Sequence, residues 1–364
     1  HLHHGNALGL DPRTLLWKRV VDMNDRALRH IVLGLGGKAD GMPRESGFDI
    51  TVASEVMAIL CLSSSMDDLK DRLSRVVVGT TPAGQRVTAA DLKASGAMAA
   101  LLKTALNPNL VQTLEHVPAF VHGGPFANIA HGTSSVVATR AALKLADIVV
   151  TEAGFASDLG AEKFFDIVSR QAGLDPAAVV LVTTVRSLKV QGGAARDTLA
   201  TEDLQALEAG LPNLDAHLDI LAGFGLPVVV AINRFGTDTE AELAMVREAA
   251  RRKGVAAEMC DVFARGGEGG LELADRVVEA LSGERRHFVP RYPLELPLAE
   301  KIDIIARTVY GADGVDSVDG SARALAALDA ARCGRFPVCI AKTQMSLSDD
   351  PTLRGRPSGF RVTI

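Results

Sequence analysis

The sequence predicts an α/β protein built on a mainly parallel sheet with helices on both faces. Short apolar, β-branched runs alternate along the 364 residues with longer Ala- and Leu-rich amphipathic stretches, which is the pattern of repeated βαβ units. Glycines directly follow several helical stretches, where a left-handed C-cap favours them; they are Gly173, Gly223, Gly254 and Gly311. The apolar share of 47% and the charged share of 23% are those of an ordinary globular chain.

The individual elements follow from local patterns. Strands are predicted at the compact runs rich in Val, Ile and Ala, namely residues 75–78, 118–121, 147–150, 178–184, 227–233, 256–262 and 336–341. Helices are predicted at the amphipathic stretches between them, namely residues 51–62, 66–74, 95–106, 135–145, 161–172, 201–222, 239–253, 270–281, 299–310 and 321–332. The Pro-rich stretch 290–297 is predicted to be a linker.

Composition excludes several classes of protein. The 39 Lys and Arg residues against 44 Asp and Glu give a net charge of −5, so the chain lacks the basic excess that nucleic-acid binding uses. The apolar runs fall far short of the ~20 residues that span a bilayer. The four cysteines are scattered without a C-x-x-C pair, which predicts neither disulfides nor a zinc site. We therefore expect no nucleic-acid partner, no membrane, no resident metal site and a reducing, cytoplasmic location.

The most informative motif is the loop of residues 122–132, which reads HGGPFANIAHG. It follows a predicted strand and precedes a predicted helix, which is where ligands bind in open α/β sheets. Its paired glycines allow backbone N–H groups to approach an anion, and His122, Asn128 and His131 add polar side chains. The alternative is a tight strand-to-helix turn whose histidines only bond the backbone.

Two later strand ends carry aromatic side chains. Asn233 and Phe235 follow the predicted strand 227–233, and Phe263 follows the next predicted strand, 28 positions after Phe235. Two rings at neighbouring strand ends are suited to clamp one flat ligand, while the Asn233 amide is suited to recognise the edge of a heterocycle. The alternative is that the phenylalanines fold back onto the protein.

Two further strand ends carry charged groups. Asp158 lies in the segment 151–165, where its carboxylate either orients a cation or a base, or caps the following helix. Arg186 and Lys189 follow the predicted strand 178–184 and offer cations to an anionic ligand, or are simply solvated. The chain contains no Walker A sequence, no G-x-G-x-x-G after a strand and no G-x-S-x-G.

Taken together, these segments resemble formate–tetrahydrofolate ligase. The loop 122–132 looks like one of that family's two signature stretches. The likeness covers essentially the whole chain and includes residues 4–6, 17–29, 47–55, 151–165, 235–242, 266–270 and 342–351.

The resemblance implies a P-loop-NTPase-like fold. Residues 1–222 would form the later part of a large nucleotide-binding domain, residues 223–315 a second, smaller α/β domain, and residues 316–364 the beginning of a third, half-barrel domain. The family's phosphate-binding loop and its other signature stretch lie N-terminal to position 1 of this sequence. We therefore expect the chain to be a fragment that shows no formate-dependent ATP turnover alone.

The implied activity is ATP-dependent ligation of formate to tetrahydrofolate, giving 10-formyltetrahydrofolate by way of formyl phosphate, in one-carbon metabolism. By resemblance, His122, Asn128 and His131 lie near the formyl phosphate, and Phe155 and Asp158 lie near the nucleotide. The resemblance assigns to the folate site Asn233, Phe235 and Phe263, although Phe263 stands where the family usually has Trp. ATP with Mg²⁺ and tetrahydrofolate would be the ligands, a monovalent cation is also compatible, and the family implies a homotetramer.

Two other functions stay open at this point. One is a catalytically incomplete fragment that binds folate without an ATP site. The other is a different α/β acyl-activating ligase with unrelated specificity.

Overall fold

The computed structural model describes residues 1–126, 130–318 and 320–364. These residues form two compact units. Of the described residues, the first contains 1–126 and 132–152, and the second contains 130–131, 153–318 and 320–364. The predicted domain boundary at residue 222 falls at the end of a helix inside the second unit, and that boundary stays a prediction.

The described residues of the first unit form short strands and four α-helices. Its described strands are β1 (Arg19–Val20), β2 (Ile31–Leu33), β3 (Arg44–Ser46), β4 (Phe48–Asp49), β5 (Val77–Thr80), β6 (Arg86–Thr88), β7 (Asn109–Gln112) and β8 (Pro118–Val121). Its helices are α1 (Glu55–Leu62), α2 (Met66–Ser74), α3 (Ser95–Leu101) and α4 (Val136–Leu145). Short 3₁₀ turns lie at Leu2–His4, Pro12–Thr14, Arg26–Arg29, Lys38–Asp40 and Thr51–Ala53.

The core of the first unit lies between its helices. Leu60, Leu69, Leu73, Ala99 and Leu106 are buried against one another there. Among the strands described in this unit, the pairs β2–β3, β5–β6 and β7–β8 are antiparallel and the pair β1–β4 is parallel.

Two sequence expectations for this unit therefore change. The predicted strand 118–121 is β8, but it pairs antiparallel with β7 in a local hairpin rather than in a parallel sheet. Residues 147–150 form no strand. Their apolar pattern is that of a strand, but a strand also needs a hydrogen-bonded neighbour.

The second unit holds the larger sheet and most of the buried residues. Its described strands are β9 (Val179–Thr183), β10 (Val228–Asn233), β11 (Ala256–Cys260), β12 (Val315–Asp316) and β13 (Val362–Thr363). Its α-helices are α5 (Arg170–Ala172), α6 (Val185–Gln191), α7 (Leu204–Ala222), α8 (Glu240–Arg252), α9 (Val262–Arg265), α10 (Leu271–Ser282), α11 (Leu298–Ile305) and α12 (Ser321–Ala330). Turns of π-helix lie at Ala156–Ala161, Phe164–Ser169 and Ala306–Tyr310, and 3₁₀ turns at Gly266–Gly270 and Cys333–Arg335.

Strands β9, β10 and β11 form a parallel sheet in the order β11–β10–β9. Val228 lies opposite Val179 and Val229 opposite Ala256. Four consecutive residues of β10, from 229 to 232, are buried, so the strand is buried on both faces of the sheet, as expected for a parallel strand covered by helices on each side. The three strands confirm the predicted ones at 178–184, 227–233 and 256–262, whereas residues 336–341 form no strand.

One apolar core joins β10 and β11 to helices α6, α7 and α8. It includes Leu188, Leu214, Val230, Ile232 and Val246. Burial of such side chains stabilises each by about 1.5–3 kcal/mol relative to exposure. In the described parts of the chain, no helix combines the length and the apolar character needed to cross a membrane.

Helices α6 and α7 approach closely because glycines stand at their contact. A Cβ on Gly192 would lie 1.8 Å from the carbonyl oxygen of Ala206, and a Cβ on Gly210 would lie 1.9 Å from that of Leu188. Side chains at either position would force the helices apart.

A buried ion pair connects α6 to α8. The Lys189 ammonium donates hydrogen bonds to Glu242 Oε1 and to the Thr201 carbonyl oxygen, both at 2.8 Å. Glu242 also accepts hydrogen bonds from the backbone N–H groups of Asp203 and Thr239. Lys189 is therefore a buried cation paired within the protein. The expectation that it is offered to an anionic ligand or is solvated is wrong.

We expect Lys189→Ala to lower the free energy of unfolding by about 3–5 kcal/mol, because it leaves the buried Glu242 carboxylate without its cation. Urea denaturation followed by circular dichroism measures the change. Lys253→Ala is the control, since it breaks an exposed pair with Asp219 that contributes about 0–1 kcal/mol. Equal losses in the two variants would contradict the buried pair's role.

Candidate ligand-binding site

The carboxyl ends of the three parallel strands meet at one edge of the sheet. Thr183, at the end of β9, lies opposite Ile232, while Asn233, at the end of β10, lies opposite Cys260. The loops that begin after these strands therefore start side by side. This edge is the usual position of a ligand site in an open α/β sheet.

The loop after β10 holds Phe235 in a fixed turn. The Phe235 N–H donates to Asp238 Oδ2 at 2.8 Å, and the Asp238 N–H donates back to the Phe235 carbonyl oxygen at 2.9 Å. Helix α8 then begins with a capping box between Thr239 and Glu242. Phe235 is half-buried and Asp238 is buried, so this turn packs against the protein and is not a solvent-exposed loop.

The first turn of α6, which follows β9, contacts the Phe235 ring directly. The Arg186 guanidinium carbon lies 4.1 Å from the centroid of that ring, which is within cation–π range. Arg186 Nη2 also donates to Thr237 Oγ1 at 3.0 Å. From the sequence, Arg186 is expected either to bind an anionic ligand or to be solvated. Its contact with Phe235 follows only from the pairing of β9 with β10.

The loop after β11 presents the second phenylalanine. Phe263 lies on α9 and its side chain is 98% exposed. The following glycine stretch folds back against this turn, where a Cβ on Gly269 would lie 2.4 Å from the Asp261 carbonyl oxygen. Phe235 and Phe263 thus occupy the ends of neighbouring strands, and Phe263 does not point into the apolar core.

In the first unit, His122 is buried and both of its ring nitrogens have partners. Nδ1 lies 2.5 Å from Ser135 Oγ, and Nε2 lies 2.6 Å from the Ala105 carbonyl oxygen. The next residue, Gly123, has a φ of +71°, and a Cβ there would lie 2.3 Å from Cys61 Sγ. Only glycine therefore fits this turn, while the His122 ring is fixed by its two hydrogen bonds.

In the second unit, His131 is buried and its Nε2 has no hydrogen-bond partner among the described residues. Burial lowers the pKa of His131 to about 4, so the ring is neutral at neutral pH. Asn128, the remaining candidate of this loop, lies outside the described residues.

The segment with Phe155 and Asp158 enters a π-helix. Phe155 is exposed, and Asp158 is buried in an ion pair with Lys342 at 2.9 Å. The Lys342 ammonium also donates to the carbonyl oxygens of Thr343 and Ser348, and it lies over the Tyr310 ring. Gly160 permits close packing here, since a Cβ on it would lie 1.6 Å from the Gly154 carbonyl oxygen.

The same π-helical segment carries two buried carboxyls that sequence patterns did not single out. Burial raises the pKa of Glu162 to about 8, although Lys163 opposes the shift. Burial also raises the pKa of Asp166 to about 6, against the lowering effect of the Arg291 backbone N–H and of Arg170. Neither Glu162 carboxyl oxygen has a hydrogen-bond partner in the described residues, so the carboxyl is stable there mainly in its protonated form.

The described residues contain no group of three or more His, Cys, Asp or Glu side chains suited to hold a metal ion.

The family model of formate–tetrahydrofolate ligase matches residues 1–364. The chain belongs to this family. Ligation of formate to tetrahydrofolate is the family's activity, with tetrahydrofolate and ATP as its substrates. The resemblance noted from the sequence is thereby confirmed, together with the α/β fold class.

We expect Glu162→Gln to remove a pH dependence of stability. Folding raises the pKa of this carboxyl from 4.5 to about 8, so the free energy of unfolding of the parent protein falls as pH rises between these values, by roughly 1 kcal/mol per pH unit. The stability advantage of the variant should therefore grow from pH 5 to pH 8 and then level off. Urea unfolding across this range measures it.

Glu248→Gln is the control for this experiment. Glu248 is a solvent-facing carboxylate on α8, paired with Arg251, and removing it should not reproduce that rise. A difference between Glu162→Gln and the parent that stays constant from pH 5 to pH 8 would show that Glu162 is ionised in the folded protein.

Proposed function

We propose that this chain supplies the tetrahydrofolate slot of an ATP-dependent ligase that makes 10-formyltetrahydrofolate in one-carbon metabolism. The observation that carries the proposal is the placement of Phe235 and Phe263 at neighbouring strand ends of one parallel sheet. A pterin is flat and largely apolar on its faces, so it binds well between aromatic rings. The family membership supports the same substrate.

The proposed reaction has two steps. A formate oxygen attacks the γ-phosphorus of ATP, which forms formyl phosphate as ADP leaves. N10 of tetrahydrofolate then attacks the formyl carbon, phosphate leaves, and N10 loses its proton. Each step develops negative charge on phosphate oxygens, so cations and N–H donors near those oxygens accelerate it, and exclusion of water protects the acyl phosphate.

Three residues are proposed for the folate. Phe235 and Phe263 would stack on the pterin, and the Asn233 amide would bond the donor and acceptor atoms along its edge. Phenylalanine at 263, where the resemblance implies tryptophan, offers a smaller ring without an indole N–H, so we expect weaker binding than tryptophan would give.

His122, Asn128 and His131 are proposed near the formyl phosphate. His131 is the best supported of the described pair, because a neutral imidazole both donates and accepts one hydrogen bond and its Nε2 has no described partner. Phe155 is proposed for the nucleotide because its ring is exposed. The buried Asp158 would act there indirectly, by fixing Lys342.

The remaining parts of the proposal come from the family resemblance. Mg²⁺ would enter with ATP, bound to its phosphates, which is the usual way a cation that keeps several waters is held. A monovalent cation, a homotetrameric assembly and a cytoplasmic location complete the proposal.

A second candidate function is folate binding without catalysis by this chain alone. It is favoured by the lack of a Walker A sequence within the 364 residues. Stacking of the pterin needs only the aromatic residues at the edge of the sheet. Phosphoryl transfer also needs a phosphate-binding loop.

We expect Phe235→Ala to weaken tetrahydrofolate binding by about 1–3 kcal/mol, which is the contribution of a ring stacked on an aromatic side chain. Phe263→Ala should also weaken binding, and Phe263→Trp should strengthen it. Isothermal titration calorimetry measures the dissociation constants. Phe336→Ala removes another exposed ring and should leave binding unchanged. Unchanged binding in both Phe235→Ala and Phe263→Ala would remove these rings from the site.

We expect the 364-residue chain to bind tetrahydrofolate but to release no ADP in response to formate. A coupled assay for ADP, run with ATP, Mg²⁺, formate and tetrahydrofolate, measures this directly. ADP release that requires both formate and tetrahydrofolate would instead assign the whole ligase reaction to this chain. Absence of tetrahydrofolate binding would favour a ligase of other specificity.

A further inference from the structure

Arg186 carries the charged group that lies over the ring of Phe235. It lies in the first turn of α6, directly after the end of β9, and its guanidinium covers one face of a ring carried by the next loop. The hydrogen bond from Nη2 to Thr237 Oγ1 holds the guanidinium to that same loop. Both contacts lie within the second unit and connect the ends of two paired strands.

The hydrogen-bonding capacity of the Arg186 guanidinium is only partly used within the described part of the protein. Within the described ranges, no carboxylate lies within ion-pair distance of it, and its Nε–H is buried without an acceptor. Arg234, on the neighbouring loop, instead pairs with Glu240 at 3.1 Å. A buried donor without a partner destabilises a protein by about 1–3 kcal/mol, so the contacts that hold the guanidinium here are the bond to Thr237 and the Phe235 ring.

We infer that Arg186 is a positioning residue that sets both the open face and the electronic character of Phe235 for a reduced pterin. This role rests on the proposed folate slot. Because the guanidinium occupies one face of the ring, a flat ligand can stack only on the other face. The arginine thus fixes the side of Phe235 on which the ligand lies, without touching the ligand itself.

The charge of Arg186 also affects which ring stacks well. A cation on one face draws the π electrons of Phe235 toward itself, because the ring face is the negative part of its quadrupole. The opposite face becomes less negative and therefore repels an electron-rich partner less. The amino-substituted ring of tetrahydrofolate is richer in electrons than the oxidised ring of folic acid, so the arrangement favours the reduced ligand.

A double-mutant cycle tests whether Arg186 acts through the ring. Arg186→Gln removes the charge but keeps a polar side chain, and Phe235→Leu removes the ring but keeps an apolar side chain. We expect Arg186→Gln to weaken tetrahydrofolate binding about three- to tenfold in the parent protein. In the Phe235→Leu background the same change should alter binding less than about twofold. Arg186→Gln should weaken the binding of folic acid less than it weakens the binding of tetrahydrofolate.

Two further variants complete the test. Arg186→Lys keeps the charge but not the flat guanidinium, so its dissociation constant should fall between those of the parent and Arg186→Gln. Arg234→Gln removes a neighbouring charge that has its own carboxylate partner, and it should leave binding unchanged. Circular dichroism and urea midpoints establish that each variant is folded; should Arg186→Gln not fold, the cycle is run with Arg186→Lys.

The possible outcomes distinguish the positioning role of Arg186 from the proposed folate site itself. An equal loss in the parent and Phe235→Leu backgrounds, or no loss in either, overturns the role of Arg186 while leaving the folate slot in place. Loss of discrimination between tetrahydrofolate and folic acid together with coupling to Phe235 supports it. Tetrahydrofolate binding that is as strong in Phe235→Leu as in the parent removes the slot itself, and the role of Arg186 with it.

Discussion

Parallel, in-register pairing of β9, β10 and β11 is the constraint on which the second unit depends. It brings the ends of three strands that are far apart in sequence to one edge, so that Arg186, Phe235 and Phe263 follow neighbouring strands. Both faces of β10 are buried, and a shift of one residue would move each of its side chains to the opposite face. The position of every candidate folate residue is a consequence of this register.

The interior of this unit is more highly charged than its apolar sheet suggests. Lys189 is paired with Glu242 and Lys342 with Asp158, all buried, while Glu162 is buried without a hydrogen-bond partner in the described residues. Buried pairs of this kind contribute little net stability compared with apolar residues, but removing one partner is strongly destabilising. They therefore connect particular elements to one another, as Lys189 connects α6 to α8 and Lys342 connects the segment 342–348 to the π-helix of Asp158.

The candidate residues divide into those that face a ligand and those that support others. Phe263 is exposed and Phe235 is half-buried, which suits contact with a flat molecule. Asp238 and Arg186 hold Phe235 in place, one through its backbone and one through its ring. His122 is bonded at both ring nitrogens, so any catalytic part for it requires exchanging one of these bonds for a bond to the ligand.

From the residues alone one obtains the α/β class, the three strands of the main sheet and the rings at two of their ends, because periodicity and turn residues are local properties. The resemblance of residues 122–132 to a signature stretch of the family is likewise readable without coordinates. Tertiary structure alone decided that β8 belongs to an antiparallel hairpin, that residues 147–150 and 336–341 form no strand, and that Lys189 and Asp158 are buried in ion pairs. Strand pairing and the burial of a charge depend on residues distant in sequence. No local pattern specifies which strand or which opposite charge will be the partner.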